Sequence, residues 1–113
     1  MWIFCKSGFL SIVEDQFAKG KLLVRARVED DMSNFVSLLD EISGTGHRIE
    51  ETPERDYRFR TTANQEVVAQ AIFEIVSSID YGNFKNSVHG EPDRDVAYMQ
   101  VWSVMNGFQQ GKL

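Results

Sequence analysis

Apolar and polar positions alternate along residues 22–28, LLVRARV. Leu22, Val24, Ala26 and Val28 fall on one side, and Leu23, Arg25 and Arg27 on the other. A period of two with β-branched residues predicts a half-buried strand. The same period recurs in YRFRT, which sets Tyr57, Phe59 and Thr61 against Arg58 and Arg60. Two further extended pieces open the chain, WIF and FLSIVE, separated by the turn Lys6-Ser7-Gly8 and followed by the Gly-containing turn DQFAKGK. HRIEE is a short strand candidate and TPERD a turn. Cys5 lies in the first extended piece and reads as a small buried hydrophobe.

The period then changes twice. In EDDMSNFVSLLDEIS, residues Met32, Phe35, Val36, Leu39 and Ile42 form one helical stripe. Glu29, Asp30 and Asp31 sit at its start, where carboxylates complement the helix dipole and can cap free N–H groups. Gly44 or Gly46 ends it. In EVVAQAIFEIVSSI, residues Val68, Ala71, Ile72, Ile75 and Ile79 turn inward, with Thr62 and Gln65 spaced as a capping box and an end near Asp80–Gly82. HGEPDRD reads as a loop, and VAYMQVWSVMNGF as a closing helix with Val96, Met99, Trp102 and Met105 or Asn106 at three-residue steps.

The segments LLVRARVEDDMSNFVSLLDEI and DYRFRTTANQEVVAQAIFEIV share one pattern: a strand with Arg-x-Arg, a polar cap, then a helix. Each follows a shorter extended piece and a turn. Two β-β-α units side by side predict a single α+β domain over 1–113. It would be a two-layer sandwich with a four-stranded, mainly antiparallel sheet of ferredoxin-like character, plus a C-terminal helix.

Charge alters the functional picture. The net charge is −5, and residues 29–56 hold nine acidic against two basic side chains. Phosphate binding is largely electrostatic, so an acidic chain is a poor general nucleic-acid binder. An acidic surface suits a basic partner protein, or serves as a solvated face. Glu50, Glu51, Glu54 and Asp56 are the candidate partner-binding carboxylates. The segment IDYGNFKNSV, residues 79–88, is too apolar for an ordinary loop. Tyr81 and Phe84 there either pack, with Val88, under the final helix near Trp102, or stand out as binding anchors.

Arg25, Arg27, Arg58 and Arg60 form the candidate anion-binding set. Alternation turns all four outward from adjacent strands, and clustered guanidinium groups bind phosphate or carboxylate. Pairing with sheet carboxylates such as Glu14 or Glu50 is the competing use. A sheet that reads RNA would also place aromatics on the arginine face, whereas Tyr57 and Phe59 fall out of phase with the arginines. No nucleotide-binding glycine motif or serine-nucleophile motif occurs, and His47 and His89 lack a histidine partner at helical spacing. His89 with Glu91, Asp93 and Asp95 is the one oxygen-rich loop, and it resembles an ordinary charged surface loop more than a metal site. The expectation is no catalytic residue, no metal and no cofactor. With no basic n-region and no apolar run of about 20 residues, the chain reads as cytoplasmic and without a membrane span.

The blocks MWIF, GFLSIV, LLVRAR, DYRFR, IDYGNFK and VWSVM, spread in order over nearly the whole chain, resemble the signature blocks of a small family of bacterial and bacteriophage proteins of about this length. No activity is attached to that family, so the resemblance implies a setting and no mechanism. Its members are often more basic after the NFK block, and NSVHGEPDRD departs from that. Small phage proteins without enzymatic motifs often bind a host protein, defence inhibitors among them. The combined expectation is a non-enzymatic protein-interaction module that binds a host protein. The alternative is a small anionic-ligand or nucleic-acid binding domain using the arginine-lined face. An uncovered sheet face would also allow a homodimer.

Overall fold

The computed structural model describes all 113 residues. They form two compact units, Met1–Ile79 and Asp80–Leu113. The first contains β1 (Trp2–Cys5), β2 (Gly8–Glu14), β3 (Lys21–Ala26), α1 (Glu29–Ser43), β4 (Glu50–Glu51), β5 (Phe59–Asn64) and α2 (Gln65–Ser77). The second contains α3 (Phe84–Ser87) and α4 (Pro92–Gln109). The class is α+β. Every strand pair is antiparallel, in the order β1-β2-β3-β5-β4, so the sheet has five strands where the sequence pattern predicts four.

Register fixes the two faces. Ile12, Val24 and Thr61 stand opposite one another across β2, β3 and β5, and so share a face with Leu10, Ala26, Phe59 and Ala63. Met32, Phe35, Val36 and Leu39 of α1 and Val68 and Ala71 of α2 close over that face as one core. Both helices therefore lie on one side. Val24, Met32, Leu39 and Val68 are almost wholly removed from solvent, each worth about 1.5–3 kcal/mol relative to exposure. The helical stripe read from α1 is thus the buried one.

The caps differ from expectation. Val28 precedes α1 and no side chain caps it, while Asp31 is buried and accepts the Phe9 N–H at Oδ2, 2.9 Å away. That carboxylate straps α1 to the start of β2 and so is more than a counterion to the helix dipole. Gly8 makes the approach possible: a Cβ there would meet Asp31 Cγ at 2.5 Å, and its φ of 151° disfavours other residues. Gly44 ends α1 in the left-handed conformation, as predicted. The Thr62–Gln65 capping box does not form. β5 continues through Asn64, so Thr62 stays in the ladder opposite Leu23, and α2 starts directly after the strand. That helix stops at Ser77, leaving Ile79 exposed where an inward position was expected.

In the second unit Asn83 caps α3, its side chain accepting the Asn86 N–H at 3.2 Å. α4 begins earlier than the loop composition suggests, because Pro92 occupies its first turn, where a missing N–H costs nothing. It ends in a paired closure: Gly111 N–H donates to the Phe108 carbonyl (3.0 Å) and Lys112 N–H to that of Gly107 (2.9 Å), with Gly111 at φ 70°. Val88 is the single fully buried residue of this unit. No helix is long and apolar enough to cross a membrane.

Candidate functional site

Opposite the helices, the sheet presents a second face. Register places Trp2 beside Ser11, Ser11 beside Arg25, and Arg25 beside Arg60. Phe4 and Phe9 are also register partners, and their rings stack with centroids 4.4 Å apart. Trp2 meets Phe9 edge-on at 6.2 Å, and Tyr57 lies 6.5 Å from Phe9. The aromatics absent from this face in the strand alternation are therefore present on it. Tyr57 is buried, as predicted, yet on the arginine side: residues 55–58 form a bend before β5, which resets the alternation that YRFRT suggests.

The four arginines divide. The Arg25 and Arg27 guanidinium carbons lie 4.6 and 4.2 Å from the Tyr57 ring centre, within cation–π range. An Arg25 terminal nitrogen donates to Ser11 Oγ (2.8 Å), while its buried Nε has no partner. Arg27 donates to the Asp56 carbonyl at 2.6 Å. Neither arginine pairs with a carboxylate. Arg60 is committed to structure, donating to Thr52 Oγ1 and to Asp56 Oδ1, both at 3.3 Å. Arg58 leaves the group: it pairs with Glu51 at 2.8 Å and approaches the Phe59 ring. The expected cluster of four is thus two guanidinium groups without a carboxylate partner beside an aromatic cluster. Next to them, Arg48, Arg55 and Arg60 line a hollow of about 500 Å³ together with Leu23, Thr62, Asp15 and Glu50.

The acidic candidates are dispersed. Glu51 and Asp56 are used by Arg58 and Arg60, and Glu50 and Glu54 are exposed. Asp40, also in the acidic block, holds the turn after α1: its Oδ1 accepts the His47 N–H at 2.8 Å and lies 2.7 Å from His47 Nδ1. His89 bridges Asp95 Oδ2 (3.1 Å) and Asn86 Oδ1 (3.0 Å). No group of three metal-ligating side chains comes together.

The second unit has its own apolar surface. Tyr98, Val101, Trp102, Met105 and Phe108 follow i, i+3, i+4, i+7, i+10 spacing and form one stripe along α4. Phe84 stacks on Tyr98 at 5.7 Å, Tyr81 touches Phe84 at 5.8 Å, and Lys85 lies 5.0 Å from the Trp102 ring. Tyr81 and Phe84, expected either as packing residues or as exposed anchors, are half-buried over the first half of that stripe. Beyond α3 the stripe is bare: Trp102, Met105 and Phe108 are 49%, 54% and 65% exposed and line a hollow of about 410 Å³. The helix itself was legible in sequence, but its face was not: three-residue steps pick Val96 and Met99, of which Val96 is 60% exposed, and only Trp102 and Met105 of that reading lie on the stripe. One available signal was the absence of any Asp, Glu, Lys or Arg from residues 96–111.

Comparison of the chain with protein-family models, with curated proteins and with solved structures finds no match.

Proposed function

We propose that the protein is a cytoplasmic, non-enzymatic interaction module that binds a host protein through the bare half of α4, in the phage or mobile-element setting implied by its sequence blocks. The observation behind this reading is the uncharged helical stripe of Trp102, Met105 and Phe108, left open where α3 stops. A unit of some 34 residues with one fully buried side chain has little core of its own, and chains below about 40 residues usually need an added partner or staple. Tryptophan is enriched among the residues that anchor protein interfaces. The partner that fits is a protein presenting an apolar helix or loop, free of charge at its centre, that continues the packing begun by Phe84. The scaffold reads as a duplicated β-β-α unit of ferredoxin-like character, β2-β3-α1 and β4-β5-α2, with β1 added at one edge.

A photo-crosslinking amino acid at position 105 tests this. In host cells it should form an adduct with one protein, lost with Phe108→Glu, whereas the same group at Ser103, on the opposite side of the helix, should form none. Adducts at both positions alike, or adducts joining only two copies of this chain, would refute the proposal.

A further inference from the structure

The open sheet face supports a second activity that is independent of α4. We infer that this face binds single-stranded nucleic acid, with bases stacking on Trp2 and Phe9 and the backbone running over Arg25 and Arg27. Three observations converge. Trp2 is 68% exposed although it sits in a strand, and its ring joins Phe4, Phe9 and Tyr57 in a continuous aromatic row. Arg25 and Arg27 lie at one end of that row with no carboxylate partner, held in place by Tyr57 and, for Arg25, Ser11. Arg48 and Arg55, also without a carboxylate, edge the adjoining hollow, so cationic groups continue along the face past Arg60.

This combination selects its ligand. Trp2 offers an unpaired base an open ring and Phe9 a partly covered one, stacking being worth about 1–3 kcal/mol per base, and the guanidinium groups meet the phosphates. A duplex buries its base faces and would present only phosphates, which a chain of net charge −5 binds poorly. Asp15 and Glu50 in the hollow oppose a polyanion there, so the strand should lie toward Trp2 and Arg27. With about two phosphates neutralised, affinity should fall only some sevenfold between 50 and 200 mM salt, a shallow dependence for a nucleic-acid binder.

The probe is a fluorescein-labelled 12-nucleotide homopyrimidine strand, in DNA and RNA forms, titrated at 50 mM salt with full-length protein. Trp102→Phe makes Trp2 the sole tryptophan, so its fluorescence reports stacking directly. Saturable quenching of Trp2 is expected with either strand. Trp2→Ala and Arg27→Ala, both at exposed positions, should each weaken binding at least fivefold, and Gln70→Ala, on the helix side of the sheet, should leave it unchanged. Absence of saturable quenching, equal binding of a 12-base-pair duplex, or wild-type affinity in both variants would overturn the inference. So would displacement of the strand by an equimolar acidic peptide, which would make the face a protein site. None of these outcomes bears on the α4 crosslink.

Discussion

The guanidinium of Arg25 lies 4.6 Å from the centre of the Tyr57 ring, and Arg27 lies 4.2 Å from the same ring. Tyr57 is only 3% exposed, so the two guanidinium groups help cover this ring, which links them to Phe9. Tyr57→Ala should cost about 3 kcal/mol, the lower end for removing a buried aromatic, read as a shifted urea midpoint. Tyr57→Phe should cost less than about 1 kcal/mol, because the ring and its cation–π contacts survive.

The contact between Gly8 and Asp31 makes a second prediction. Gly8→Ala drives a methyl group into the Asp31 carboxylate and strains the backbone, at a cost of about 2–4 kcal/mol. Asp31→Ala removes the acceptor of the Phe9 N–H, at about 1–3 kcal/mol. Because the alanine at position 8 already displaces that carboxylate, the double variant should be less destabilised than the two single costs added together. Chemical denaturation of the four proteins measures this directly.

A chain ending at Ile79 should still unfold cooperatively. Every member of the main core cluster, from Leu10 to Ala71, belongs to the first unit. The check is a single sigmoidal transition by circular dichroism, with near-native tertiary signal.

Met105→Glu and Phe108→Glu should each change the stability of the full chain by no more than about 0.5 kcal/mol, since both residues are more than half exposed. Val88→Asp should instead unravel α3 from α4, because it puts a charge at the one buried position of that unit. Far-UV circular dichroism and thermal melts separate the two outcomes.

Much of the scaffold is readable from periodicity alone. Leu22, Val24 and Ala26 declare β3, and Met32, Phe35, Val36 and Leu39 declare the buried face of α1, because each pattern reports one face of a regular element. What periodicity misses lies where regularity breaks. The bend at 55–58 carries Tyr57 over to the arginine face and sends Arg58 to Glu51. Asp31 looks like a dipole-compensating carboxylate until the β1–β2 hairpin, which brings Gly8 and Phe9 against it, is known. Phe4 and Phe9 were in phase with the arginines all along, but only strand register shows that they share their face. For α4, three-residue steps pick Val96 and Met99, whereas α3 packs on Tyr98, and no pattern in the sequence says what covers a helix face.

We propose the bare half of α4 as the seat of the partner. Amide hydrogen exchange of the full chain, alone and with the protein captured from position 105, tests it most directly. Exchange through residues 101–109 should slow at least tenfold on binding, with β2 and β3 unchanged. Unchanged exchange in α4, or protection confined to residues 50–56, would rule out α4 as the binding surface.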